Sequence, residues 1–314
     1  MSEVAFLFPG QGSQSVGMVR ELAAFPETMQ FFEKARRILG FDLFDLCLFG
    51  PEKKLSQDLN AQLAVYVTNC VYAALLNRMG LHPKLASGFS LGIFSALVSA
   101  GSLDFEQGLE GVRAAAEKMS AEGRRYQGAM AAVIGLSRQE VGAACEEAPG
   151  SFVASMNTAR QIVIAGQEKA VEKVLALCMK RGALLTKPLD ISWAIHTPLM
   201  KGASESFSRV IADWKIRAPR FPVLSYLRAE FLRTSEEIKE ELAMQFSRPN
   251  CWHQVLLRML AEGTRIFIEA GPGHVLSQMV RWVDRQAKTI SAEDILKGTP
   301  LPLIPKKEPE ALWN

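Results

Sequence analysis

Leu85-Ala86-Ser87-Gly88-Phe89-Ser90-Leu91-Gly92-Ile93-Phe94-Ser95-Ala96-Leu97 is the stretch that decides the fold. Leu85–Phe89 reads as a short buried strand, and Ile93–Ala100 carries helical spacing, so the chain passes from strand to helix within five residues. The glycines of this G-x-S-x-G permit a tight turn and leave the Ser90 hydroxyl exposed at the helix N-terminus. Free N–H groups and the helix dipole favour developing negative charge there. A strand feeding directly into a helix points to an α/β fold with a parallel sheet.

The pattern continues in both directions. Val4–Phe8 reads as a strand ending in Pro9-Gly10-Gln11-Gly12. Leu22–Leu39 and Ala61–Met79 read as helices, and Asp104 as the N-cap of a helix running to Glu122. The middle of the chain changes character. Ala129–Leu136, Phe152–Met156, Gln161–Ala165 and Ala183–Leu189 read as strands, with helices at Gln139–Glu147 and Glu168–Lys180. That β-α-β-β-α-β order is the ferredoxin-like pattern, inserted into a larger body that resumes after His196. The body's last strand is read at Arg265–Ala270, followed by Gly271-Pro272-Gly273 and a helix through Trp282. The expected organisation is therefore an α/β-hydrolase-like catalytic subdomain (1–126 and 190–298) with a parallel-sheet core, and an inserted small ferredoxin-like subdomain (127–189). A Pro-rich tail (299–314) is expected to be extended or disordered.

Composition sets the outer limits. A chain of 314 residues accommodates about two domains or one large one with an insertion, and at this size about three quarters of the unfolded surface can be buried without disulfides or metals. The net charge of +3 is too small for a nucleic-acid binder. Five scattered cysteines with no C-x-x-C pair fit reduced thiols and supply no metal framework. The N-terminal apolar run is too short and lacks the basic flank of a signal peptide, and no uncharged stretch approaches a membrane span. A cytoplasmic protein with no membrane association is expected.

A serine at neutral pH needs a base, and four histidines are available. His196, in Ser192-Trp193-Ala194-Ile195-His196-Thr197-Pro198, stands at a strand-to-helix junction where its side chain can face a cleft. His253, at the start of an apolar helix, reads as structural, and His82 and His274 as surface turn residues. Phe8-Pro9-Gly10-Gln11-Gly12-Ser13-Gln14 is either a plain Gly-rich turn or a nest of N–H groups facing an oxyanion. It fits neither the phosphate-loop pattern nor the dinucleotide fingerprint.

Taken together, FPGQGSQ, GFSLG about eighty residues later, and His196 followed by Leu199-Met200 resemble the malonyl-CoA:acyl-carrier-protein transacylases and the acyltransferase domains of polyketide and fatty-acid synthases. Gln62, Asn157 with Gln161–Gly166, and Glu269–Gly273 extend the match over about residues 1–290. The resemblance implies ping-pong acyl transfer between acyl-CoA and the phosphopantetheine thiol of an acyl carrier protein, without a permanently bound cofactor or metal. It implies Ser90 as nucleophile, His196 as base, and the backbone N–H groups of Gln11 and Leu91 as oxyanion hole. It also implies Gln62, Asn157, Trp193 and the position of Ala115 as substrate-binding, and a carbonyl at Cys251 orienting the histidine. Relatives are commonly monomeric. Their carrier proteins are acidic, so a basic rim is expected from Arg124, Arg125, Lys180, Arg181, Arg248, Arg281 and Arg285.

Three departures from the family pattern bear on substrate. Phe89 replaces a common His and Ile93 a common Glu, both read as packing changes. Where malonyl-selective members carry an Arg that holds the substrate carboxylate, this chain has Ala115. Arg113 lies about 200° around the helix from it, and Lys118, three residues on, is the better substitute. Losing that Arg is expected to weaken malonyl selectivity by at least about ten- to a hundred-fold. Trp193 points the same way, towards an uncharged acyl group, with a core role as its alternative. Besides an acyltransferase, the sequence leaves open a hydrolase that clears acyl chains from carrier proteins and a non-catalytic docking subunit.

Overall fold

The computed structural model describes residues 4–125, 128–191 and 193–301. In chain order its strands are β1 (Val4–Phe8), β2 (Leu85–Gly88), β3 (Gly128–Ile134), β4 (Ser151–Thr158), β5 (Gln161–Gln167), β6 (Leu185–Pro188), β7 (Val223–Leu224), β8 (Phe231–Leu232), β9 (Ile266–Glu269) and β10 (Lys288–Ser291). They form a six-stranded sheet of order β10-β9-β1-β2-β7-β8 and a four-stranded sheet of order β4-β5-β3-β6. The chain is an α/β protein.

The large sheet is parallel except for β8. Every residue of β1 is buried, which is why Val4-Ala5-Phe6-Leu7-Phe8 is uninterrupted by polar residues: helices cover both faces of the sheet. β1 and β2 lie side by side, Phe8 opposite Gly88, so the two Gly-rich turns leave the same end of the sheet as neighbours. A ligand site is expected at the carboxyl ends of such strands. Among the described residues one helix, Asp58–Arg78, is long and apolar enough to cross a membrane, which the reading of the sequence had not allowed for. It is buried along most of its length inside the protein.

The small sheet is antiparallel throughout. Helices Arg138–Glu146 and Glu168–Lys180 pack on it through Val141, Val174 and Cys178 against Ala131, Val133 and Ile164. The two sheets meet at a seam where Met156 N–H donates to the Asn250 carbonyl (2.8 Å) and Asn250 N–H to that of Ala154 (2.9 Å).

Three details differ from expectation. The helix read over Leu22–Leu39 is interrupted at Phe25-Pro26, because proline cannot continue it; a short 3-10 turn (Glu21–Ala24) precedes the helix Pro26–Leu39. Asp104 occupies an N-cap position, but its carboxylate accepts from Arg217 (2.6 Å) and makes no cap bond. The body does not end its sheet at β9, since β10 follows at the edge. Of the tail, only 299–301 fall within the described residues, and the expectation for 302–314 lies outside them.

Candidate active site

The turn after β2 is set by backbone crowding. A Cβ on Gly88 would lie 1.9 Å from the Gly92 carbonyl carbon, and one on Gly92 would lie 2.0 Å from the Phe8 carbonyl oxygen. Only hydrogens fit in either place. Ser90 is thereby held at φ 53°, a conformation L-residues rarely adopt, with helix Gly92–Ser99 starting two residues later. Phe89 packs edge-on against Trp252 (ring centroids 5.3 Å apart), and Ile93 is fully buried, so both positions serve packing.

His196 is also at positive φ (64°), its N–H donating to the Phe246 carbonyl at 2.7 Å. These constraints bring Ser90 Oγ to 3.0 Å from His196 Nε2, across 106 residues of sequence. Burial holds the imidazole pKa down to about 4, opposed by the carbonyls of Gln245 and Arg248, which favour the charged ring. Nδ1 itself completes no hydrogen bond in this geometry. A neutral imidazole facing a hydroxyl is the arrangement of a general base and its nucleophile. The Cys251 carbonyl, expected to orient the ring, makes no bond to Nδ1 in this geometry. That carbonyl accepts from Val255 N–H (3.1 Å) as the first bond of helix Trp252–Ala261, and Gln245 and Arg248 face the ring instead.

Two cavities meet at His196. The larger, about 940 Å³, is a cleft between the two sheet units, with Phe152 and Val153 on one wall and Lys201, Ser204 and Met244 on the other. Arg138, Lys201 and Arg248 bring positive charge to it and Glu146 and Glu205 negative charge, with Lys201 paired to Glu205 at 3.7 Å; only Arg248 had been singled out from sequence. The smaller, about 30 Å³, is lined by Gln11, Gln62, Ser90, Leu91, Phe94, Ala115, Met119, Ile195, His196, Gln245 and Phe246. Ser90, His196, Gln11, Leu91, Gln62 and Ala115 are thus brought together. Among the described residues, neither the Gln11 nor the Leu91 backbone N–H donates to a backbone acceptor, so both remain available at the pocket.

Two expected residues lie elsewhere. Trp193 is outside the acyl-side pocket: its indole donates to Asp58 Oδ2 (2.5 Å) and packs over Gly123, lining a separate surface cavity with Ala116, Ser120 and Arg124. Ile195, two residues on, lines that pocket instead. Asn157 lines neither cavity at His196; its Oδ1 accepts from Ser155 Oγ (2.6 Å) beside the seam. The chain's other histidines also line neither cavity. Arg113 points away, towards the Ile38 carbonyl (3.4 Å), and Lys118 is not among the pocket residues.

Three residues at the site escaped the sequence reading. Asp58 accepts from Gln11 Nε2 (2.6 Å) as well as from Trp193, and Gln62 Nε2 donates to Gln11 Oε1 (3.1 Å), so one carboxylate anchors the Gly-rich turn. Tyr226, fully buried, sets its ring edge-on to His196 with centroids 5.9 Å apart. Glu241, also fully buried, accepts from Ser225 Oγ (2.6 Å) and from the N–H groups of Tyr226 (3.0 Å) and Leu227 (3.4 Å). Desolvation raises its carboxyl to about 7 against those bonds and the nearby Arg228. None of these carries a local motif. Only Asp58 had a weak signal, as an acid in the first turn of a helix.

A serine on a strand-to-helix elbow, paired with a buried neutral histidine beside two Gly-rich turns, is the constellation of an acyl-transfer enzyme. Residues 5–307 match the acyl transferase domain, and the chain belongs to that family: it is an acyltransferase. It is 36% identical over 299 residues to the malonyl CoA-acyl carrier protein transacylase of Bacillus subtilis, covering 94% of each chain. It superposes on the acyl carrier protein S-malonyltransferase of Vibrio cholerae with a TM-score of 0.89 at 34% identity, covering 92% of this chain and 96% of that one. It also matches a malonyl-transacylase (PlMCAT) solved in complex with a type II polyketide acyl-carrier protein, AntF (TM-score 0.90, 31% identity, 95% of this chain and 100% of that one).

Proposed function

We propose that this acyltransferase moves an acyl group lacking a free carboxylate from a CoA thioester to the phosphopantetheine thiol of an acyl carrier protein, through an acyl-Ser90 intermediate. The Ser90 Oγ proton passes to His196 Nε2 as Oγ attacks the thioester carbon. The oxyanion is held by the N–H groups of Gln11 and Leu91. The C–S bond then breaks, and the imidazolium returns its proton to the departing CoA sulfur. In the second half, the phosphopantetheine S–H gives its proton to Nε2 and sulfur attacks the ester carbon. The C–O bond breaks, and Ser90 recovers its proton. The substrates are the acyl-CoA and the carrier's phosphopantetheine, and no permanently bound cofactor takes part. The cleft that ends at His196 offers Arg138 and Arg248 to an anionic carrier or CoA, with Glu146 and Glu205 also on its walls.

The observation that carries the substrate assignment is the lining of the 30 Å³ pocket: Ala115 faces it, and among the described residues no Arg or Lys does. A buried malonyl carboxylate would stand there unpaired, at a cost of several kcal/mol. The small volume favours a short chain such as acetyl. Intact-mass spectrometry after incubation with acetyl-CoA or malonyl-CoA, then with a phosphopantetheinylated carrier protein, tests the reading. The expected result is a +acetyl adduct on Ser90 that moves to the carrier. A malonyl adduct of equal yield overturns the acyl assignment. Decay to free acid without carrier loading replaces transferase by hydrolase.

A further inference from the structure

The oxyanion reading asks for two backbone N–H groups, from Gln11 and Leu91, held in place before any substrate arrives. In a trans peptide the N–H points away from the carbonyl of the same unit, so whatever fixes that carbonyl aims the N–H. The Leu91 N–H shares its unit with the Ser90 carbonyl, which accepts from Ile93 N–H at 3.0 Å. The Gln11 N–H shares its unit with the Gly10 carbonyl, and there the main partner is a side chain. Ser13 Oγ donates to that carbonyl at 2.8 Å, whereas Ser13 N–H reaches it only at 3.4 Å.

The rest of the turn is fixed around this unit. A Cβ on Gly10 would lie 2.6 Å from the Phe89 carbonyl oxygen, so the turn is pressed against the elbow. One unit earlier, the Pro9 carbonyl accepts from Asn69 Nδ2 at 3.0 Å. The same amide donates to Ser95 Oγ at 3.2 Å, and Asn69 is fully buried. Further along, Gly12 stands at φ 101°, as the third residue of a type II turn requires. The Gln11 side chain is held separately, by Asp58 and Gln62. The Gly10–Gln11 unit follows a glycine, whose backbone resists rotation least, and the Ser13 hydroxyl is what stops it turning.

We propose that Ser13 is a positioning residue for the oxyanion hole: its hydroxyl holds the Gly10 carbonyl and thereby aims the Gln11 N–H at the reacting oxygen beside Ser90. The bond also polarises the shared amide, which makes its N–H a stronger donor. Ser13 lines neither cavity at His196, so it acts through one peptide unit and not by contact with the acyl group. Losing an oxyanion donor outright slows acyl transfer about a hundred- to a thousandfold, and losing only its aim is expected to cost about tenfold.

This inference rests on the acyl-serine reading, and a fluorophosphonate probe keeps the two separable, because it needs no acyl substrate. Ser90 Oγ attacks phosphorus, its proton passes to His196 Nε2, and fluoride leaves. The phosphoryl oxygen develops its charge where an acyl oxyanion would. Labelling of Ser90 is followed by intact mass. Ser13→Ala is expected to lower the maximal labelling rate about tenfold, with the probe's half-saturation concentration unchanged. The factor is expected to be the same at pH 5.5 and 7.5, because His196 is untouched. Ser13→Thr keeps the hydroxyl and is expected to restore most of the rate. A wild-type rate in Ser13→Ala overturns the inference, and so does a loss in Ser13→Thr as large as that in Ser13→Ala. A loss seen as a raised half-saturation concentration, or one that differs between the two pH values, assigns Ser13 to binding or to the histidine and also overturns it. A wild-type protein that labels readily but accepts no acyl group from any thioester overturns the proposed function and leaves the role of Ser13 standing.

Discussion

The burial of His196 makes a sharp kinetic prediction. An exposed imidazole titrates near 6.5, whereas desolvation holds this one at about 4. At pH 5.5 an ordinary histidine is about 9% neutral, and one with a pKa of 4 about 97% neutral. A base is active in its deprotonated form, so its contribution is complete above the folded pKa and is lost as pH falls through it. Lowering the pH from 7.5 to 5.5 would cost an ordinary histidine about tenfold in rate. Here the loss should be under about 10%. The assay is single-turnover acylation of Ser90 by acetyl-CoA, or by a fluorophosphonate, quenched in acid and read by intact mass at half-unit pH steps. A tenfold fall between pH 7.5 and 5.5 would mean that the ring is hydrated in the free enzyme. The shared cleft, not Tyr226 and the surrounding core, would then set its environment.

Further outcomes follow from the same geometry. Gly92→Ala puts a methyl 2.0 Å from the Phe8 carbonyl oxygen, so the elbow must open; a loss of at least about 3 kcal/mol in denaturant melts is expected, with no Ser90 labelling. Ala115→Arg places a guanidinium beside Ser90. In competition between equimolar malonyl-CoA and acetyl-CoA it should shift the acyl-enzyme ratio towards malonyl by at least about tenfold, and overpacking should cost about 1–3 kcal/mol of stability. Asp58→Ala releases both the Gln11 amide and the Trp193 indole. Acylation should slow about tenfold with the melting temperature nearly unchanged, and an unaltered rate would show that the Gly-rich turn holds its shape without that carboxylate.

Much of the site was legible because its signals are local. Gly88 had to be glycine for a reason confined to a few residues, the crowding of the Gly92 backbone, and its reading needed no knowledge of the rest; Gly92 answers also to the Phe8 carbonyl of the neighbouring strand. The β-α-β-β-α-β order of the small sheet was equally readable, since each strand and helix carries its own period. Other local signals were present but unread: Thr234 and Glu237 form a capping box that starts helix Ser235–Met244, and Ser137 with Glu140 forms another. Strands β7 and β8, at two residues each, and the half-polar β10 carry too little pattern to be read; only pairing with a neighbour makes them strands.

By itself, the sequence determined the elbow, the Gly-rich turn beside it and the order of elements, because steric limits on φ and the spacing of apolar residues act over a few positions. Tertiary structure decided everything that depends on which groups compete for a partner. It gave the Cys251 carbonyl to a helix and turned Trp193 to Asp58 and away from the pocket. It tied Asn157 to Ser155, and it set Tyr226 against His196 on a turn held by Glu241. The depressed pKa of His196 belongs to the same category, since burial is a property of the whole packed chain and of no residue within it.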